Sequence, residues 1–162
     1  LQWNDRLMAG EPANPQWKQN VALRALPMAT ALASTGAAAE ALPWFQRAIA
    51  HAETELAQQE ALRPRRHLLT AQLRLAKAEL TLQRPGAAAR IRTTIEALQA
   101  LSPKDTKSPD TLLAIAEGAA ALAQGSEAAA WRKMACDAWG QAATRRPLSP
   151  ASLQARGAAG CD

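Results

Sequence analysis

The segment 36–52, GAAAEALPWFQRAIAHA, places a large apolar side chain between two small ones at helical spacing. Ala41, Phe45 and Ala48 follow the spacing i, i+4 and i+7, which brings all three side chains to one face of an α-helix. The two alanines allow a neighbouring helix to approach closely, and Phe45 fills the space between them. The pattern therefore predicts a helix that packs against another helix and buries Phe45.

Capping residues and helix breakers divide the chain into six predicted helices. Asn14 before Pro15 is a good helix start, because Asn accepts hydrogen bonds from the first free amides and proline tolerates the first helical position. Ser108 and Pro109 repeat this start, and Gly36 can adopt the left-handed conformation that ends a helix. The predicted helices span residues 15–34, 38–61, 64–82, 87–101, 109–124 and, after a turn at Gly125 and Ser126, 127–146.

The predicted helices form pairs that recur along the chain. Helix-starting prolines at Pro15, Pro64 and Pro109 are 49 and 45 residues apart, and each opens a helix, a turn and a second helix. A repeated two-helix unit indicates a solenoid, in which each unit buries its apolar face on its neighbours. We expect one domain over residues 1–146, with the end of a preceding helix at 1–9, antiparallel pairs at 15–61, 64–101 and 108–146, and a flexible C-terminal tail at 147–162.

Composition agrees with an all-α fold. Hydrophobic residues make up 48% of the 162 residues, but aromatic residues make up 4% and tyrosine is absent, so alanine and leucine must fill most of the interior. Alanine is the best helix former, and β-branched residues are few. We expect no membrane span, because no window reaches about 18 uninterrupted apolar residues. Since the chain begins at Leu1 rather than methionine, we expect it to be a piece of a longer protein.

Residues 25–51 resemble a tetratricopeptide repeat. Gly36 lies in the turn, Leu32 is the large apolar residue of the first helix, and Ala29 stands where that family has glycine or another small residue. The third unit repeats the pattern with Gly118, Gly125, Ala130 and Met134. The second unit has Thr93 or Thr94 where an aromatic residue is expected. The spacing of the units exceeds the roughly 34 residues of the family, which longer second helices or links would absorb.

The resemblance implies a protein-interaction scaffold whose concave surface is lined by the first helix of each pair. In the first unit that surface would consist of Leu23, Leu26, Thr30 and Ala33. It lacks the Lys and Asn side chains with which such domains hold a terminal carboxylate, so we expect an apolar or helical ligand. The expected partner is a protein or peptide rather than a nucleic acid.

A narrower resemblance lies in EPANPQW at 11–17, followed by EALP at 40–43. Together these look like the long tetratricopeptide units in the C-terminal regions of bacterial membrane-anchored serine/threonine kinases and related multidomain regulators. The resemblance implies the sensor or partner-binding region of a larger signalling protein, periplasmic if attached to a membrane kinase and otherwise cytoplasmic. The alternative is an unrelated alanine-rich helical domain.

Positive charge is concentrated in the second part of the chain. Residues 1–60 hold 4 basic and 6 acidic side chains, net −2, whereas residues 61–162 hold 15 and 8, net +7. A basic surface can bind nucleic acid or another anionic ligand, as in a transcriptional regulator. Its candidate residues are Arg63, Arg65, Arg66, Arg84, Arg90 and Arg92. Against nucleic acid, no aromatic residue is interleaved with these arginines to stack on a base.

The sequence offers little catalytic chemistry. His51 and Glu55 share a helix face, but a catalytic metal site normally has three protein ligands. We therefore expect no catalytic residues, no metal site and no cofactor, although a longer parent protein can carry a separate catalytic domain such as a kinase. Cys136 is expected as a small core residue and Cys161 as a free thiol in the tail. Pro27 and Pro43 each remove a helical hydrogen bond and are expected to kink their helices.

Overall fold

Helices are the regular secondary structure throughout the described part of the chain. The computed structural model describes residues 15–106 and 108–161, and the side chains of residues 24–106, 108–124 and 126–161. Seven α-helices are found there, with a short 3-10 helix at Gly125–Glu127 between the fifth and sixth. They are α1 (Pro15–Ser34), α2 (Ala38–Gln58), α3 (Leu62–Thr81), α4 (Ala87–Leu101), α5 (Asp110–Leu122), α6 (Ala128–Arg145) and α7 (Pro150–Ala158). The prediction of an all-α fold is confirmed for these residues, while the helix expected at 1–9 lies outside them.

Most predicted helix boundaries agree with the structure, and the differences involve prolines and caps. The bounds of α1 and α4 are as predicted. The helix α3 begins at Leu62, so Pro64 lies in its first turn rather than at its start, where the missing amide hydrogen would have no helical acceptor anyway. Pro109 lies at the N-cap of α5 rather than inside the helix. Pro27 and Pro43 are both exposed, and α1 and α2 continue through them.

Three helices, α1, α3 and α7, end in the same hydrogen-bonded turn, which contains glycine after α1 and α7 but not after α3. At the end of α1, Gly36 has a φ of +88°, and the amide of Ala37 donates to the carbonyl of Leu32 over 2.9 Å. At the end of α3, Gln83 takes the corresponding place with a φ of +55°, and Arg84 donates to Glu79 over 2.9 Å. All three are Schellman turns, which satisfy the last free carbonyls of a helix. The turn after α3 has no sequence signal, because a glutamine rarely adopts positive φ.

Packing follows the order of the chain. Each helix from α1 to α6 contacts the next one extensively, and α7 contacts α6. In addition, α1 contacts α3 and α3 contacts α5. The helices α1, α3 and α5 therefore lie side by side, and together they form one face of the molecule.

A buried stripe with the spacing i, i+4, i+7 recurs on the even-numbered helices. Its members are Ala41, Phe45 and Ala48 on α2; Ile91, Ile95 and Leu98 on α4; and Ala135, Trp139 and Ala142 on α6, all of them buried. Burial of Phe45, which is 1% exposed, confirms the packing prediction for that residue. Corresponding positions are separated by 50 and then 44 residues. The stripe is small–large–small in the first and third units and aliphatic throughout in the second.

In the second and third units, the buried stripe lies at other positions of α4 and α6 than the sequence indicates. In α4 the central large residue is Ile95, while Thr94 is buried and Thr93 is exposed. In α6 the expected positions Ala130 and Met134 are exposed and half-buried, because the stripe begins later in the helix, at Ala135. The central large residue of the third unit is Trp139 rather than Met134.

A polar network fixes the link between α4 and α5. The carboxylate of Asp105 accepts hydrogen bonds from Arg66 over 2.9 Å and from the hydroxyl of Thr111 over 2.5 Å. A single Nη1 of Arg145 donates to the carbonyls of Asp105 and Ser108 over 2.7 and 2.9 Å. Side chains of α3, α5 and α6 therefore converge on this link, and Asp105 is buried although it is charged.

The C-terminal region is more structured than the sequence predicts. The expected flexible tail contains α7, whose N-cap Ser149 accepts a hydrogen bond from the amide of Ser152. Cys161 is not a free thiol: it forms a disulfide with Cys136 of α6, with their Cα atoms 5.3 Å apart. The prediction of a free thiol was wrong, because two cysteines 25 residues apart match no recognisable pairing motif. Flexibility of residues 147–162 stays a prediction.

Candidate functional site

The face formed by α1, α3 and α5 contains a groove made of two adjoining cavities. The first has a volume of about 760 Å³ and the second about 430 Å³. Thr30, Arg74 and Glu117 line both cavities, one residue from each of the three helices. These volumes fall in or near the range of ligand-binding clefts in proteins.

A charged cluster lies at the centre of the groove. Arg74 donates to both carboxylate oxygens of Glu117, over 3.1 Å from Nε and 3.0 Å from Nη2. Lys77 Nζ lies 3.7 Å from the same carboxylate. Arg74 Nη1 also donates to the hydroxyl of Thr30 over 3.3 Å, and that hydroxyl donates to the carbonyl of Leu26 over 2.8 Å. The cluster therefore connects all three helices.

Helical spacing and one glycine bring these charges together. Arg74 and Lys77 are three residues apart on α3, so both side chains reach the same side of that helix. Glu117 is followed by Gly118, and an added Cβ at Gly118 would lie 2.8 Å from Leu73 Cδ1. Close approach of α5 to α3 at this glycine places Glu117 within reach of the two cations.

The cluster keeps Glu117 ionised although the side chain is largely buried. Burial opposes ionisation, but the charges of Arg74 and Lys77 and the hydrogen bonds from Arg74 outweigh it and lower the pKa of Glu117. The first cavity also includes Arg84, so three cationic side chains and one carboxylate line it. The groove is therefore electropositive in its larger half.

The second cavity is more evenly charged and contains a histidine. Arg66, His67 and Asp110 line it together with Arg74 and Glu117. Burial, followed by the charges of Arg66 and Arg63, lowers the pKa of His67, while Glu55 and Asp110 act in the opposite direction. His67 is therefore neutral at pH 7.

The sequence-predicted partner surface coincides in part with this groove. Leu26, Thr30 and Ala33 line its cavities. The side chain of Leu23 lies outside the described residues, and binding of a partner by these residues remains a prediction. The missing Lys and Asn side chains concerned the surface of the first unit, and in the groove α3 adds Arg74 and Lys77 to that surface. A sequence signal existed: Glu117 is a lone charge in the otherwise apolar run LLAIAEGAAALA.

The six arginines of the alternative basic surface are not gathered in one place. Arg63, Arg65 and Arg66 lie near the start of α3 and Arg84 follows its end, roughly 30 Å away for a helix of this length at 1.5 Å per residue. Five of the six face carboxylates at 2.6–3.9 Å: Arg65 with Glu60, Arg66 with Asp105, Arg84 and Arg90 with Glu79, and Arg92 with Glu127. These pairs neutralise much of the charge that an anionic polymer would need.

An aromatic residue does accompany one of these arginines, although it is distant in sequence. The guanidinium of Arg92 lies 5.5 Å from the ring centre of Trp131, and both side chains contact Glu127. The fold, rather than any motif, brings Trp131 and Arg92 together. The guanidinium of Arg92 is already hydrogen-bonded to Glu127. Its contact with Trp131 therefore joins α4 to the start of α6.

His51 and Glu55 form no complete metal site. Nε2 of His51 lies 3.8 Å from Glu55, and Nδ1 of His67 lies 3.9 Å from the other oxygen of the same carboxylate. Over the part of the chain that the structure describes, no three His, Cys, Asp or Glu side chains are placed to hold a metal ion. No described helix is both long enough and apolar enough to cross a membrane.

Comparison with protein families, with characterised proteins and with solved structures finds no match for this chain.

Proposed function

We propose that this chain is a non-catalytic scaffold that holds a segment of a partner protein in the groove of α1, α3 and α5. The observation that carries the proposal is the continuity of the groove across three helices, with Thr30, Arg74 and Glu117 shared by both of its cavities. A surface built from several helices can bind an extended segment along its length. Neighbouring helix axes are about 8–10 Å apart, so three helices accommodate roughly six residues of extended chain.

A tetratricopeptide-like solenoid is the architecture we propose for this scaffold. Its support is the recurrence of the buried stripe on α2, α4 and α6 and the alignment of α1, α3 and α5 on one face. In such an architecture the first helices of the pairs form the binding surface, as the groove requires. Within a larger bacterial signalling protein, the groove would serve as the sensor or partner-binding region.

The partner segment that fits the groove is acidic. The first cavity has three cationic side chains, Arg74, Lys77 and Arg84, against the carboxylate of Glu117. Lys77 is 3.7 Å from Glu117 and about one-third exposed, so it retains a solvent-facing side to which a second carboxylate can bind. Complementary charge of this kind orients a partner and accelerates its association.

The disulfide favours the extracytoplasmic alternative for location. Disulfide bonds persist in oxidising compartments such as the bacterial periplasm and are rare in the cytosol. The bond between Cys136 and Cys161 therefore supports a periplasmic position for the groove.

Titration with a labelled hexaglutamate peptide tests the proposed groove. We expect the wild-type protein to bind this probe and Lys77→Gln to bind about tenfold more weakly, because a hydrogen bond to a charged group contributes roughly 1.5–3 kcal/mol. Lys133→Gln is the matched control, since Lys133 lies on α6 and pairs with Asp137 outside the groove. Thermal unfolding of both variants checks that each remains folded.

Three results would count against the groove. They are no detectable binding of hexaglutamate, equal loss of binding in both variants, or equally tight binding of hexalysine. A single-stranded oligonucleotide of matched charge provides the comparison with the basic-surface alternative. If the oligonucleotide binds more tightly, and Arg63→Gln weakens its binding while Lys77→Gln does not, nucleic-acid binding replaces the proposed function.

A further inference from the structure

The helix α7 forms one wall of the second cavity of the groove. Ser149, Ala151 and Ser152 from the start of α7 line this cavity together with Leu26 and Thr30 of α1. The same cavity includes His67 of α3 and Asp110 of α5. The C-terminal segment therefore borders this half of the groove, across from residues of the first and second helix pairs.

Apolar packing holds α7 only weakly. None of its nine residues is buried, and Leu153, its large apolar residue, is 53% exposed. The contacts with the main core come from residues flanking the helix: Leu148 before it, and Ala159 and Cys161 after it. An isolated helix of this length is not stable in water. Covalent attachment through Cys161 therefore contributes a large share of what keeps α7 in place.

We propose that α7 is a redox-controlled wall of the groove, held in position by the Cys136–Cys161 disulfide and released when that bond is reduced. Release of α7 opens the half of the groove that includes Arg66 and His67. Its biological role rests on the proposed function, in which this groove binds a partner. With the bond intact, the segment from 147 to 161 is tied to α6 at both ends. With the bond broken, the covalent tie to α6 remains only where the chain continues at residue 146, and the other contacts of the segment are non-covalent.

The reaction is thiol–disulfide exchange with a dithiol reductant. One thiolate of the reductant attacks a cysteine sulfur, forming a mixed disulfide and releasing the other cysteine as a thiolate. The second thiol of the reductant then attacks the mixed disulfide. Two electrons pass to the protein, Cys136 and Cys161 each gain a proton as thiols, and the reductant becomes a disulfide. The chain has two cysteines, so a dithiol can reduce one intrachain disulfide, the bond between Cys136 and Cys161.

The two histidines of the chain provide a test that needs no partner molecule. His67 lines the second cavity, whereas His51 contacts the same Glu55 from α2 and is not among the residues lining this cavity. One sample is reduced with dithiothreitol, which is removed before labelling, and a second sample is left oxidised. Both are treated with diethyl pyrocarbonate at pH 7, and modification of each histidine is measured by mass spectrometry. Reduction should increase the rate at His67 several-fold and leave the rate at His51 unchanged.

The double variant Cys136→Ser/Cys161→Ser should reproduce the reduced protein and should not respond to dithiothreitol. Hydrogen exchange should show protection lost across the nine residues of α7 but retained in α3 and α5. Unchanged labelling of His67 after complete reduction would overturn the proposal, as would equal increases at both histidines with general loss of protection, which would indicate unfolding. Failure of hexaglutamate to bind would count against the proposed function and leave these results unaffected.

Discussion

Phe45 lies in a buried cluster with Ala29 of α1 and Ala78 of α3. Its side chain is among the largest fully buried ones in the described structure. We expect Phe45→Ala to reduce the free energy of unfolding by about 3–5 kcal/mol, through lost transfer energy and the cavity left behind. Urea unfolding measures this, with the exposed neighbour Gln46→Ala as the control. A loss below about 1 kcal/mol, typical of positions outside a core, would show that Phe45 does not support the packing of the first pair.

Two glycines inside helices should respond to alanine in opposite directions. Alanine is favoured over glycine in a helix by about 1 kcal/mol. At Gly140 of α6 an added Cβ meets no atom within 4 Å, so Gly140→Ala should stabilise the protein by up to that amount. At Gly118 the Cβ would lie 2.8 Å from Leu73 and 3.1 Å from Ile95, both fully buried. Overpacking there costs about 1–3 kcal/mol, so Gly118→Ala should destabilise.

Thermal or urea unfolding of the two variants compares them directly. Stabilisation by Gly118→Ala equal to that by Gly140→Ala would mean that α5 does not approach α3 and α4 as closely as the structure places it.

Individual residues were predictable where their pattern was local. Ala41, Phe45 and Ala48 carry their small–large–small signal within one helix, and all three are buried. Trp139 carries the same signal between Ala135 and Ala142, but the turn at Gly125 suggested a register that ends at Met134. The helix α6 begins three residues after that glycine and extends further before its stripe starts. Distance from a turn is therefore a poor guide to register when the link itself contains a 3-10 helix.

At the scale of the elements, the link between α4 and α5 is stabilised by the buried carboxylate of Asp105. Burial alone would raise its pKa, but hydrogen bonds from Thr111 and Arg66 and the charges of Arg66 and Arg145 hold the pKa below its ordinary value. The folded state therefore stabilises the ionised carboxylate of Asp105 relative to the unfolded state. Its contribution to stability is complete above the unfolded-state pKa, about 3.9, and is lost as the pH falls through the folded-state pKa.

We expect Asp105→Asn to destabilise the protein by about 1–3 kcal/mol at pH 7, because Thr111 and Arg66 lose their charged acceptor. The difference from wild type should shrink at an acidic pH below the unfolded-state pKa of about 3.9, as the wild-type carboxyl becomes protonated. Urea unfolding at both pH values measures it. Asp137→Asn is the control, since the pair between Lys133 and Asp137 is exposed and should contribute less than about 0.5 kcal/mol. A difference that stays constant with pH would contradict the assigned role of the charge.

Elements were predictable from caps and breakers, and their long-range connections were not. Six helices follow from prolines, glycines and alanine-rich runs, whereas α7 was missed because residues 147–162 offer few large apolar side chains to signal a packed helix. The disulfide that holds this segment depends on the distance between Cys136 and Cys161 in space. No local sequence pattern predicts how far apart these two residues lie in the folded chain.

At the scale of the whole molecule, the groove arises from positions that are remote in sequence. Thr30, Arg74 and Glu117 are more than 40 residues apart from one to the next, yet one ion-paired cluster includes all three. The sequence suggested a concave, partner-binding surface on the first helices, and three of its proposed residues, Leu26, Thr30 and Ala33, line the groove. Binding of a partner there stays a prediction. The sequence did not reveal the charges opposite these residues, because which side chains of α3 and α5 face α1 depends on how the helices pack.

Packing between successive helices also has a kinetic consequence. The links between helices contain three to eight residues, so bringing each helix onto the next closes a short loop at little cost in chain entropy. Chains dominated by such local contacts fold quickly, within microseconds to milliseconds. Several helix pairs can act as starting points for folding, because none must wait for a distant strand or terminus. Closure of the bond at Cys161 is then the slow final event, since oxidation takes seconds to hours and requires both ends of the last segment to be already in place.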